Sequence, residues 1–155
     1  MSRLKKVDVT VESAADPAAV YALLRAGETW PTWSPITSFE MVRPAPTPDG
    51  LGEIHIFHTK QALGTVHSRE EVVELVPDRR FSYTLLHGLP LRNYRADVDL
   101  TPTATGTSIR WHSTFRAAVP GTGWFYRAVL SAFIARCARG LADHAATVRS
   151  GSRPG

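Results

Sequence analysis

The stretch from Gly121 to Val148, GTGWFYRAVLSAFIARCARGLADHAATV, constrains the fold more than any other. At 100° per residue, Tyr126, Leu130, Phe133, Ile134, Cys137, Leu141, His144 and Val148 fall in one stripe. Arg136, Arg139 and Asp143 lie on the far side. This predicts one amphipathic helix of roughly 40 Å at about 1.5 Å per residue. It carries too many arginines to span a membrane. A helix of that length needs a broad apolar surface, and the segments before it have to supply one.

Those segments read as strands and turns. RLKKVDVTVES alternates Val7, Val9 and Val11 with polar residues, as a half-buried strand does. A short helix follows, with Asp16 as N-cap, Pro17 at its first position, Val20, Leu23 and Leu24 on its apolar side, and Gly27 at its end. ETWPTWSPI is too proline-rich for more than a helical turn. Six more strands are expected, over 36–43, 51–59, 65–76, 81–87, 93–100 and 107–119, each separated by turn chemistry such as PAPTPDG and TPTATG. Consecutive strands with short connections form an antiparallel meander. The expected class is α+β: a seven-stranded curved antiparallel sheet around a long C-terminal helix, with two short helices after the first strand. Such a sheet and one helix do not easily fill their shared interior, so a cavity is expected.

Bulk properties narrow the partners. The 155 residues suit a single domain over 1–149 and a short flexible tail over 150–155. One cysteine excludes an internal disulfide, and the basic N-terminus lacks the apolar segment of a signal peptide or anchor, so a cytoplasmic protein is expected. The net charge of +4 is dispersed, which reads as a solvated surface and not a nucleic-acid face. His55 and His58 are three apart on a strand, so they point to opposite faces, and no carboxylate or cysteine cluster completes a metal site with them or with His67. No Gly-rich phosphate loop or GxSxG elbow is present. Neither metal nor cofactor is expected. The oligomeric state, monomer or weak homodimer, is left open.

Strand registers follow from the hairpins. A two-residue turn at Asp78–Arg79 would set Val76 against Phe81, Glu74 against Tyr83, Val72 against Leu85 and Glu70 against His87. The next hairpins would set His87 against Tyr94, Leu85 against Ala96 and Tyr83 against Val98, and then Tyr94 against Ser113, Ala96 against Trp111 and Val98 against Ile109. The dry face then holds Phe81, Tyr83, Leu85, Tyr94, Ala96, Val98, Leu100, Ile109, Trp111 and Phe115, while Asn93, Arg95, Asp97, Asp99, Arg110, His112, Thr114 and Arg116 share the wet one. Glu70, His87, Tyr94 and Ser113 form a polar row across the dry face. Such a row either satisfies itself or meets water at a cavity mouth, or it orients a greasy ligand. A Glu–His–Tyr set also suits acid/base chemistry, which makes Glu70, His87 and Tyr94 the candidate catalytic residues.

The order of elements, together with ETWPTWSPI, VVELVPDRRFSYTLL, GLPLRNYRADVDLTPTATGTSIRWHSTFR and PGTGWFYRAVL, resembles the polyketide cyclase/dehydrase family of the START-like helix-grip superfamily. The resemblance covers nearly the whole chain. It implies an internal cavity for a lipid-like or aromatic, polyketide-like small molecule, with Trp33 at its edge. The expected lining is Trp33, Tyr83, Leu85, Tyr94, Val98, Trp111, Ser113, Tyr126, Leu130, Phe133 and Cys137. Cys137 reads as a small core hydrophobe and His144 as a residue bonded to backbone or water. Ligand binding or carriage is the leading function. A cyclase, aromatase or dehydratase is the alternative, and a chaperone-activator type of interaction module is the third; a filled core with an exposed apolar patch would favour that third reading.

Overall fold

The structure is a computed structural model that describes residues 3–151. Alternation makes β1 of Lys5–Ser13, with Val7 buried between exposed Lys6 and Asp8. The Asp16 carboxylate accepts from the Ala19 amide at 2.9 Å and caps α1 (Pro17–Arg25). A 3-10 turn (Gly27–Thr29) and the four-residue α2 (Trp30–Trp33) follow. Both tryptophans are buried with their indole N–H groups satisfied: Trp30 donates to the Leu24 carbonyl and Trp33 to the Thr29 hydroxyl.

The remaining strands are β2 (Ser38–Arg43), β3 (Ile54–Gln61), β4 (Gly64–Val76), β5 (Arg80–His87), β6 (Leu91–Thr103) and β7 (Gly106–Ala117), and the chain closes with α3 (Gly123–Gly151). All seven strands form one antiparallel curved sheet in the order β1-β7-β6-β5-β4-β3-β2. β1 crosses from one edge to the other through α1 and α2, and the rest is a meander. α3 runs three residues beyond Val148, the last position of its apolar stripe. Positions 150 and 151 of the expected tail therefore belong to the helix, and 152–155 lie outside the described residues.

The expected hairpin registers are wrong, yet almost every side chain faces as expected. Val76 pairs with Arg80 across a three-residue loop in which Asp78 takes the left-handed conformation (φ 61°). This one-residue slip turns Leu75 inward against Phe81 and sends Glu74 outward against Ser82. A bulge between Val72 and Glu74 adds a second slip, so Val72 meets Tyr83 and Glu70 meets Leu85. On β5–β6, Tyr83 pairs with Ala96 and Phe81 with Val98; on β6–β7, Ala96 pairs with Ser113 and Val98 with Trp111. Each is a shift of two from expectation, and a shift of two restores the face. A bulge at Arg92–Arg95, with Asn93 at φ 54°, interrupts the pairing beside Tyr94 and leaves that side chain inward, 6.2 Å from the Phe115 ring.

The core divides into two ends. Trp30 packs against Trp33, Phe57, Phe81, Tyr83 and Trp111 with ring centroids 4.6–6.4 Å apart. Behind this cluster the C-terminal half of α3 buries Ile134, Cys137, Ala138, Leu141, Ala142 and Ala145. Alanines replace the expected His144 and Val148 here: His144 is half-buried and Val148 exposed, because the helix approaches too closely for large side chains. A Cβ on Gly140 would lie 1.7 Å from the Trp33 carbonyl oxygen. Ser13 fastens the same region, donating to the Ala142 carbonyl at 2.7 Å. α3 lies close to β1, β7, α1 and α2 and holds off from the middle strands. The other end of the interior is consequently open.

Candidate functional site

The space between α3 and the middle strands is a cavity of about 570 Å³. Its walls follow from the period of two on the sheet and of three to four on the helix. β4 contributes Val66, Ser68 and Glu70; β5 contributes Tyr83 and Leu85; β6 contributes Tyr94. The N-terminal half of α3 covers them with Val129, Leu130, Ala132 and Phe133. Pro35, Thr59, Lys60, Gln61, Leu89 and Arg136 complete the rim. Lys60 and Arg136 are exposed, and neither forms a salt bridge among the described residues.

Of the expected lining, Tyr83, Leu85, Tyr94, Leu130 and Phe133 border the cavity. Trp33, Val98, Trp111 and Cys137 are core residues packed behind it. Ser113 is buried without lining it, and Tyr126 is half-buried one turn before Leu130. His87 departs furthest. The shifted register pairs it with Arg69 at the exposed end of β5, so the row Glu70–His87–Tyr94–Ser113 does not form. Arg136, expected to face solvent, is exposed yet stands at the cavity rim.

In place of His87, the histidine beside Glu70 is His55. A two-residue turn at Ala62–Leu63 pairs Gln61 with Gly64, and counting back places His55 opposite Glu70. His55 is 2% exposed, flanked by the rings of Phe57 and Phe39 at 4.6 and 5.5 Å. Its Nε2 lies 3.8 Å from Glu70 Oε1 and its Nδ1 lies 3.7 Å from Glu53 Oε1. His58 points the other way, toward His67 and Glu40.

Electrostatics sets the chemical character of the inner wall. Burial pushes the Glu70 carboxyl above the ordinary glutamate range, against the pull of His55. Burial likewise raises Tyr83, Tyr94 and the Cys137 thiol, so all three are neutral near pH 7. Cys137 is a packing residue with no thiolate to offer. Tyr83 Oη accepts from Trp111 Nε1 at 3.2 Å, which ties the wall to the aromatic cluster. The wall thus presents one buried carboxyl and two phenols among apolar side chains, with Ser68 on β4 and the polar residues of the rim completing the enclosure.

Residues 5–149 match the family described as polyketide cyclase/dehydrase and lipid transport, and the chain belongs to that family. No curated protein sequence matches it. Among solved structures it is similar to the di-domain ARO/CYC StfQ from the steffimycin biosynthetic pathway (TM-score 0.78, 19% identity), covering 96% of this chain and 52% of that one. The chain therefore spans about half the length of that di-domain protein. A START superfamily protein from Mycobacterium smegmatis matches with TM-score 0.74 and 16% identity, over 92% of this chain and 98% of that one. A norcoclaurine synthase from Thalictrum matches with TM-score 0.74 and 13% identity, over 96% and 98%. At these identities the likeness is one of fold, the START-like helix grip.

Proposed function

We propose that this protein binds a hydrophobic small molecule, lipid-like or aromatic and polyketide-like, in the cavity under the N-terminal half of α3. The observation that carries the reading is the cavity itself: about 570 Å³, within the range of small-molecule sites, mainly apolar, with a few convergent polar groups. Tyr83, Leu85, Tyr94, Leu130 and Phe133 provide apolar contact. Glu70 and the tyrosine hydroxyls orient the buried end of the ligand, and Lys60 and Arg136 favour a polar or anionic group at the rim.

Binding is tested with an environment-sensitive anilinonaphthalene sulfonate. Leu85→Trp places a large ring in the cavity, whereas Leu86→Trp places the same ring on the opposite, exposed face of β5. The expected result is at least about tenfold weaker probe binding in Leu85→Trp alone, a loss of roughly 1.4 kcal/mol. Equal affinity in both variants sinks the reading.

A second reading, cyclisation or dehydration of the bound molecule, is favoured by one feature. Glu70 is a buried carboxyl on the cavity wall whose proton affinity burial has raised toward that of a general acid/base. Glu70→Gln separates the two. A carrier keeps its probe affinity and has no turnover to lose, whereas an enzyme keeps binding and loses product formation.

A further inference from the structure

Three buried polar atoms along one chain of contacts lack hydrogen-bond partners among the described residues: Arg25 Nη1, His55 Nδ1 and Glu70 Oε1. Orphaned buried polar groups are rare and costly, and three in sequence call for an explanation. Glu53 Oε2 lies 3.9 Å from Arg25 Nη1, and its Oε1 lies 3.7 Å from His55 Nδ1. The far side of the imidazole ring faces Glu70 Oε1 at 3.8 Å. The gaps are too long for direct hydrogen bonds and too short to hold a bridging water between them. Small rotations of the side chains close them. The line starts on the cavity wall at Glu70, passes through the fully enclosed His55, and ends at the partly exposed pair of Glu53 and Arg25, whose side chains are 14% and 30% exposed.

We infer that Glu53, His55 and Glu70 form a proton relay through the protein interior, with His55 as the positioning residue that connects Glu70 on the cavity wall to solvent at Glu53. The transfer balances without any co-reactant. Protonated Glu70 gives its proton to His55 Nε2, and the ring releases its Nδ1 proton to the Glu53 carboxylate. Glu70 is left ionised, Glu53 protonated, and the neutral imidazole in its other tautomer. Glu53 then exchanges its proton with water, with Arg25 Nη1 3.9 Å from its other oxygen. The relay lets Glu70 gain or lose a proton while a ligand blocks the cavity mouth. It deepens the reading in which Glu70 exchanges a proton with the bound molecule, and rests on that reading for its use.

The other groups facing Glu70 cannot take this role. Tyr83 from β5, Tyr94 from β6 and Cys137 from α3 each interact with it, and burial keeps all three protonated far above its range. Among the described residues, His55 alone has ion-pair contacts to both carboxylates, Glu53 and Glu70.

Nuclear magnetic resonance of the ligand-free full chain, labelled at glutamate side-chain carbons and histidine ring nitrogens, tests the inference. In the wild type, the Glu70 carboxyl and the His55 tautomer should change together: Nδ1–H while Glu70 is protonated, Nε2–H once it ionises. His55→Phe, shaped to sit between Phe39 and Phe57, should raise the Glu70 midpoint by about one to three pH units. A His55 tautomer that stays constant through the Glu70 titration overturns the relay, and so does a Glu70 midpoint unmoved in His55→Phe. The wild-type measurement decides even where that variant does not fold. Failure of probe binding with both titrations intact would instead remove the ligand reading and leave the relay standing.

Discussion

Gly140→Ala is the most direct test of how α3 is seated. On an open helix face this substitution stabilises by about 1 kcal/mol, because alanine loses less backbone freedom than glycine. Here the added methyl would sit 1.7 Å from the Trp33 carbonyl oxygen and 2.9 Å from its carbon. Neither is the end of a flexible side chain, so the helix and α2 have to separate by well over ~1 Å to reach van der Waals contact. Overpacking of this kind costs typically 1–3 kcal/mol, and a rigid backbone partner puts it at the upper end. The net expectation is a loss of about 2 kcal/mol, or roughly 4–8 °C in midpoint for a domain of this size. Urea unfolding followed by tryptophan fluorescence measures it, and Ala128→Gly, at an exposed position of the same helix away from the cavity, gives the ordinary propensity effect for comparison. A Gly140→Ala protein as stable as the wild type, or more so, would refute the close seating of α3 on α2.

Two further outcomes follow from burial and charge. Leu141→Asp should destabilise by about 4 kcal/mol or more by burying an unpaired carboxylate, while Arg139→Asp on the exposed side should stay within about 0.5 kcal/mol; equal thermal shifts would contradict the helix orientation. Burial pushes Asp99 upward, but Arg80 Nε at 2.6 Å and His112 Nε2 at 2.7 Å more than offset it and hold the carboxyl below its ordinary 3.8. Stability from that network is fully present above about pH 4 and is lost as pH falls through the folded value, so Asp99→Asn should flatten the acid limb of stability against pH measured by urea midpoints. An unchanged acid limb would count against it.

The fold was legible because its signals are local and redundant. The valine alternation of β1, the Asp16–Pro17 start of α1 and the stripe of α3 each specify an element without reference to the others. The registers were not legible in the same way. Nothing in Pro77–Asp78–Arg79 distinguishes a two-residue turn from a three-residue loop with Asp78 left-handed, and the bulges at Val73 and Asn93 carry no glycine to announce them. Even-numbered slips spared the faces of β5 to β7, which is why Tyr83, Leu85 and Tyr94 reach the cavity while His87, at the strand end, is carried out to solvent. The partner of Glu70 was available from one hairpin: a tight turn at Ala62–Leu63 sets His55 opposite it, and the spacing of Glu53 and His55 puts both on one face. Trp111 and Cys137 were misplaced for a different reason. Alternation tells inside from outside, but not which inside positions face open space.

The two halves of α3 answer to different demands. Its C-terminal half is clamped by Gly140, Ala142 and the Ser13 hydrogen bond, while its N-terminal half roofs the cavity with Val129, Leu130 and Phe133 and turns Trp124 and Phe125 outward, at 69% and 49% exposure. Substitutions that reshape the roof leave the clamp untouched, and most of the aromatic cluster lies at the clamped end. Inheritance can therefore rewrite what the chamber accommodates without renegotiating how the chain folds: mutational drift in the roof is cheap, and drift in the clamp is not.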